Sequence, residues 1–195
     1  MFITIYGINN IGKTTHAQKI VKRLQKEGFK AVYIKYPIYD IKPTGSLLNQ
    51  ILRSNSQQKI SEEELQLWFT LNRHQFEPTL KKYLKEKKII IAEDYIGTGL
   101  AWGSAKGADL NWLENLNKNL IKEDLSIYLK GERSISAKEK NHIHEQNDHL
   151  IEKCLKQYEF LAKQYNWHVI DAGSEKNRDE TQEKIWKYIL KILKK

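Results

Sequence analysis

Residues 7–15 of this chain read GINNIGKTT, a glycine-flanked loop of the form G-x-x-x-x-G-K-T. That spacing serves the cradling of a polyphosphate. Gly7 and Gly12 permit a tight backbone turn, so the N–H groups between them, those of Asn10 and Ile11 included, point at phosphate oxygens. Lys13 is placed to reach the β- and γ-phosphates, and the Thr14 hydroxyl to ligate Mg²⁺. From Thr14 and Thr15 a helix-like stretch begins, whose positive end faces the same anion. The loop predicts that the chain binds a nucleoside triphosphate.

Two other constellations carry chemistry. The apolar run Ile89–Ala92 ends in Glu93 and Asp94. Behind a phosphate loop, a carboxylate there holds Mg²⁺ directly or through water, which pairs Glu93 with Thr14 as metal ligands. The two acids could instead cap the next helix. Phe69 and Arg73 stand four residues apart in a helical pattern, so a flat ring and a guanidinium fork share one face. A nucleobase could stack on the ring and accept hydrogen bonds from the fork, and the same pair also suits core packing beside a surface salt bridge. The stretch from Lys130 to Gln146 is dense in charge, with Arg133, Lys138, Lys140, His142 and His144. It fits a lid over phosphates or a solvated loop. Its histidines lack the cysteine or carboxylate spacing of a zinc site.

Such groups need a scaffold that brings them to one place. Runs rich in β-branched residues recur at Phe2–Tyr6, Ala31–Lys35, Ile89–Ala92, Leu125–Leu129 and His168–Ile170. Helical patterns lie between and after them at Thr14–Lys26, Gly45–Arg53, Ser61–Glu86, Asn111–Asn119, Asp148–Tyr165 and Arg178–Leu193. Ser61 followed by Glu64 makes a capping box. The alternation predicts an α/β fold of the P-loop NTPase kind, about five parallel strands with helices on both faces. Ligands of such sheets sit beyond the carboxyl ends of the strands. The segments following the strands, including Tyr36 to Asp40, Glu93 to Tyr95 and Asp171-Ala172-Gly173, should therefore converge on one crevice.

The 195 residues suit a single domain, 1–195, with a well-buried core. No apolar run approaches the roughly 20 residues of a membrane span, and no leader pattern opens the chain, so no membrane partner is expected. Cys154 is the single cysteine; it fits a reducing cytoplasm and packing as a small hydrophobe. The net charge of +9 comes from scattered lysines, with only five arginines among 33 basic residues. That pattern describes a solvated surface suited to small nucleotides rather than a nucleic-acid-binding stripe.

Taken in order, these pieces resemble the thymidylate kinase family of nucleoside-monophosphate kinases. The resemblance runs through GINNIGKTT, Tyr36-Pro37, LLNQIL at Leu47–Leu52, LWFTLNRHQ at Leu67–Gln75, AEDYIGTGLAWGSAKG at Ala92–Gly107, EDLSIYL at Glu123–Leu129 and VIDAGS at Val169–Ser174. It implies transfer of the γ-phosphoryl of ATP to dTMP with Mg²⁺, and a homodimer. It also implies that Phe69 stacks on the base, that Arg73 binds it, that Trp102 blocks a ribose 2′-hydroxyl in the segment holding Thr98, and that Asp171 and Ala172 flank adenine. Asn9, Tyr36 and Tyr39 occupy positions of the same acceptor site, and the phosphate loop and strand end supply Lys13, Glu93 and Asp94 as the candidate catalytic group.

Four departures stand out. Glu93-Asp94 replaces the family's usual Asp-Arg, whose arginine holds the monophosphate. Tyr39 stands where another arginine is expected, and Asn9 where an acid touches the sugar. Neither Asn10 nor the stretch 138–145 offers a catalytic arginine. An acid at position 94 repels a phosphate dianion. Two other readings follow: a deoxynucleoside kinase with Glu93 as or beside the general base, and a P-loop ATP-binding module that is not a kinase.

Overall fold

Five strands alternate with helices in the computed structural model, which describes residues 1–53, 60–131, 148–172 and 177–194. The strands are β1 (Phe2–Tyr6), β2 (Ala31–Lys35), β3 (Ile89–Glu93), β4 (Leu125–Lys130) and β5 (His168–Asp171). The helices are α1 (Lys13–Lys26), α2 (Thr44–Arg53), α3 (Glu62–Lys85), α4 (Ile96–Ala105), α5 (Leu110–Asn117), α6 (Asp148–Gln164) and α7 (Arg178–Leu193).

All strand pairings are parallel, in the order β2-β3-β1-β4-β5. Every residue of β1 and of β3 is buried, so both faces of the sheet are covered there, in keeping with sequences that are apolar apart from Thr4 and Glu93. Helix α1 lies against β1, β2 and β3 with α7 beside it, whereas α3 lies on β3 and joins α4 and α5, and α4 packs on α6. The chain first builds out from β1 to β2, fills in β3, then crosses to β4 on the other side of β1. Loops leaving β1 and β3 thus part at the centre of the sheet and open a crevice. The register Ile5↔Glu93↔Lys35 aligns the phosphate loop, the Glu93-Asp94 pair and the end of β2 at its mouth.

Ser61 caps α3 by accepting from the Glu64 N–H at 3.1 Å, and Glu62, Glu63 and Glu64 complement the positive end of that helix. Cys154 is buried in the main core, where burial pushes its thiol well up. Among the described residues no helix is long and apolar enough to cross a membrane. Glu132 to Gln146 of the expected lid, together with Gly173 and Ser174, lie outside the described residues.

Helix α4 is the element that the helical patterns of the sequence omit. Gly97, Gly99 and Gly103 fall within its ten residues, and each weakens an isolated helix by about 1 kcal/mol. Space explains them. A Cβ at Gly97 would lie 2.5 Å from Trp167 Cη2, one at Gly99 2.7 Å from Arg73 Nη2, and one at Gly103 2.8 Å from Leu113 Cδ1. The Trp167 ring is itself stacked on Tyr6 with centroids 4.6 Å apart. Gly97→Ala should therefore destabilise by about 1–3 kcal/mol despite its better helix propensity. Thermal unfolding should show a Tm lower by several degrees; an unchanged or higher Tm would mean that Trp167 gives way freely.

Candidate active site

Residues 7–12 bend through left-handed backbone at Gly7 (φ 147°), Asn10 (φ 65°) and Gly12 (φ 97°), the geometry that turns successive N–H groups inward around an anion. Gly7 is also required by space, because a Cβ there would meet Leu129 O at 2.8 Å. Gly12 ends the loop as the N-cap of α1. Lys13 is 4% exposed, and its ammonium donates to Gly7 O at 2.8 Å and Ile8 O at 2.9 Å. The loop thus folds around its lysine and holds it at the centre of the sheet's carboxyl edge.

Glu93 meets this loop. The Thr14 hydroxyl donates to Glu93 Oε2 at 2.7 Å, the Tyr33 hydroxyl donates to the same oxygen at 2.5 Å, and Lys35 Nζ lies 3.1 Å from Oε1. Burial pushes the Glu93 carboxyl up, but Lys13, Lys35 and the two hydroxyls outweigh burial and hold it below the usual range. Asp94, at φ 62°, accepts from the Thr98 hydroxyl at 2.7 Å and sits 3.7 Å from Lys13 Nζ. Burial and the Glu93 charge raise its carboxyl against the pull of Lys13. Neither acid caps α4, whose N-cap residue is Tyr95 with no side-chain cap bond.

The Thr14 hydroxyl and the Glu93 carboxylate are hard oxygen donors 2.7 Å apart beside the phosphate loop. Among the described residues no group of three or more His, Cys, Asp or Glu could hold a metal ion. A partial oxygen shell fits Mg²⁺, which takes one or two protein oxygens and completes its octahedron with water and substrate phosphates.

The expected acceptor residues divide between two clusters. Tyr36 lies in the main core, its ring 4.9 Å from that of Tyr95, and Trp102 is buried in the same core. Arg73 is 5% exposed; its Nη1 donates to Asn117 Oδ1 at 2.7 Å and to Thr70 Oγ1 at 3.5 Å. No carboxylate among the described residues forms an ion pair with it. Burial lowers its pKa, and the ionisable groups acting on it are Tyr95, Tyr6, Tyr36 and, last, Glu123. The buried hydroxyls of Tyr36 and Tyr95 have no hydrogen-bond partner among the described residues. Phe69 instead joins a second cluster of Leu48, Ile51 and Leu65, with Tyr39 and Trp68 packed against it. The Arg53 guanidinium stands 4.6 Å over the Tyr39 ring. Phe69 and Arg73 are one helical turn apart, yet they line different walls, α2 for the ring and α4 with α5 for the guanidinium.

Asp171 is exposed at the end of β5, and the buried Ala172 donates its N–H to Lys130 O at 2.7 Å and accepts from Thr181 of α7 at 3.0 Å. His16 of α1 is bonded to Gln182 at 2.7 Å, tying α7 to the helix of the phosphate loop. Four contributors escaped the sequence reading. They are Tyr33 and Lys35, which hold Glu93, Asn117, which holds Arg73, and Asn72. The Asn72 carboxamide accepts from Ile38 N–H at 2.8 Å and donates to Ile38 O at 3.0 Å and to Thr44 at 2.9 Å. The alternation of AVYIK puts Tyr33 and Lys35 on one face of β2 and was the available signal for them; the other two depend on contacts distant in sequence.

The sequence profile of the family described as Thymidylate kinase matches residues 5–185. The chain is 33% identical to the thymidylate kinase of African swine fever virus over 138 residues, which are 71% of this chain and 54% of the viral protein. It is 30% identical to the thymidylate kinase of Danio rerio over 176 residues, 88% of this chain and 82% of that protein. The chain thus spans about half the length of the viral relative and most of the fish one. The solved structure of thymidylate kinase from Candida albicans superimposes with a TM-score of 0.83 at 23% identity, covering 97% of this chain and 90% of that one, and so shares its fold.

Proposed function

The chain belongs to the thymidylate kinase family, and on that premise we propose that it transfers the γ-phosphoryl of ATP to dTMP, yielding dTDP. The observation that carries the acceptor is Arg73. A buried guanidinium with no carboxylate partner among the described residues is costly in the protein alone, and a base carbonyl offers a further acceptor to donors that Asn117 and Thr70 leave over.

In this reading the loop N–H groups and Lys13 hold the β- and γ-phosphates, and Asp171 and Ala172 flank adenine. Thr14 and Glu93 would hold Mg²⁺, which would supply positive charge to offset that of the phosphates. Phe69 stacks on the base from the α2 side while Arg73 reaches it from the α4 side. Tyr36, Tyr39, Asn9 and Thr98 line the sugar and phosphate, and Trp102 stands beside C2′. The protein's contribution is to position the two nucleotides in line and to stabilise charge in a water-poor crevice.

The nucleoside-kinase reading needs a general base. Glu93 is poorly suited, because four partners hold its carboxyl low. Asp94, whose carboxyl is raised, is the group such an enzyme would use. A panel of thymidine, dTMP and other deoxynucleoside monophosphates with Mg·ATP separates the two. ADP formed with dTMP is expected; phosphorylation of thymidine but not dTMP would overturn the reading.

Phe69→Ala and Arg73→Ala should each raise KM for dTMP at least about tenfold, since each removes a stacking or charged contact of about 1.4 kcal/mol or more. KM for ATP should stay within about twofold, and a loss of ATP affinity with dTMP kinetics intact would place these residues in the wrong site. Trp102→Ala should relax discrimination against the ribonucleotide.

A homodimer through α3 also belongs to this reading. Leu67 and Leu71, one turn apart and each 49% exposed, offer it an apolar stripe. Sedimentation at micromolar concentration showing only monomer would remove it. A cytoplasmic location fits the lone, buried Cys154 and the use of ATP.

A further inference from the structure

We propose that Lys35 binds the phosphate group of the acceptor nucleotide. The inference rests on the acceptor being a monophosphate and adds the residue that receives its charge.

An acceptor phosphate must approach the γ-phosphoryl group at the carboxyl edge of β1 and β3. It carries close to two negative charges at neutral pH, its second ionisation lying near pH ~6. On that edge stand Glu93 and Asp94, so the approach is repulsive unless cations offset both. Two lysines of the described residues are joined to this carboxylate pair. Lys13 is buried, engaged by Gly7 O and Ile8 O, and belongs to the triphosphate loop. Lys35 remains.

Its position suits the task. Lys35 ends β2 in register with Glu93, and the next residue, Tyr36, begins the acceptor loop. Its Nζ lies 3.1 Å from Glu93 Oε1, yet its side chain is 48% exposed. Asp94 and Tyr39 are both near enough to act electrostatically on the ammonium. Lys35 shares the hold on Glu93 with Thr14 and Tyr33, which grip the other oxygen, Oε2. An ammonium has three donors, and Glu93 is the one carboxylate within 4 Å of Lys35 among the described residues. The remaining donors can meet a phosphate lying beyond the carboxyl ends of β2 and β3. The cation thus comes from the neighbouring strand, two positions before Pro37, where Asp94 itself cannot supply it.

Binding and kinetics of Lys35→Gln and Lys35→Arg, with dTMP, thymidine and Mg·ATP as separate probes, test this. Wild-type turnover of dTMP is measured first; its absence would refute the monophosphate reading whatever Lys35 does. Given turnover, Lys35→Gln should weaken dTMP binding by about 10- to 100-fold and leave thymidine binding and KM for ATP within about twofold, and Lys35→Arg should recover most of the loss. Wild-type affinity for dTMP should also climb as pH passes ~6 and the phosphate takes its second charge, a rise that Lys35→Gln should flatten. Equal losses for thymidine and dTMP, or a higher Mg²⁺ requirement with dTMP affinity intact, would make Lys35 merely the counter-ion of Glu93 and overturn the proposal. Thymidine binding by the variants also reports that the site is folded.

Discussion

Replacing Lys13 with alanine should lower kcat by about a thousandfold or more while the protein stays folded. Three powers of ten correspond to about 4 kcal/mol of barrier, the scale expected when a preorganised cation is removed from charge developing in a water-poor site. Lys13 is preorganised: buried, donating to two loop carbonyls and 3.7 Å from Asp94 before any nucleotide arrives. Alanine leaves the loop glycines and their N–H groups in place, so ATP binding should fall much less than turnover. The variant also strips Asp94 of the largest group that lowers its carboxyl, so Asp94 should protonate at higher pH than in the wild type. Circular dichroism, ATP binding and steady-state kinetics together check the expectation. Near-normal turnover in a folded variant would show that the loop does no phosphoryl chemistry.

Glu93→Gln should be nearly as damaging, with kcat down by about a hundredfold and the Mg²⁺ needed for half-maximal activity raised at least about tenfold. The amide keeps the shape of the side chain and an oxygen for the Thr14 and Tyr33 hydroxyls, but it turns a carboxylate facing Lys35 and Thr14 into a neutral group. Stability carries a second signature with a defined sign. Because Glu93 has its folded-state carboxyl lowered, its ionised form stabilises the fold fully above the unfolded glutamate value of about 4.3 and loses that stabilisation as pH falls through the folded value. The stability gap between wild type and Glu93→Gln should therefore be present near neutrality and shrink in acid. A Mg²⁺ dependence unchanged from wild type would remove Glu93 from the metal site.

What could be read from the sequence was written in neighbouring residues. The phosphate loop declares itself because its glycines, lysine and threonine act within one turn of chain, and the alternating strands and helices follow from local periodicity. Helix α4 escaped because its three glycines violate helix propensity, and they do so for Trp167, Arg73 and Leu113, which come from remote parts of the chain. The Phe69–Arg73 spacing shows the limit of periodicity. It correctly puts both on the same side of α3, but four residues advance the helix by a further ~40°, enough to give each its own wall. Lys35 and Tyr33 become partners of Glu93 only through the β2–β3 register, which a single strand's sequence does not reveal.

Asn72 has a consequence for how the proposed acceptor pocket opens. Its carboxamide pairs with both the N–H and the C=O of Ile38, as an adjoining peptide would, and reaches Thr44 at the start of α2 as well. The loop carrying Tyr36 and Tyr39 is thereby laced to the helix carrying Phe69 and Arg73. In native-state hydrogen exchange the amide of Ile38 would then share the protection of α3 rather than behave as part of a surface loop, and truncating Asn72 would release it on its own. The two walls of the pocket would breathe together, so a nucleotide gripping one would slow exchange in both.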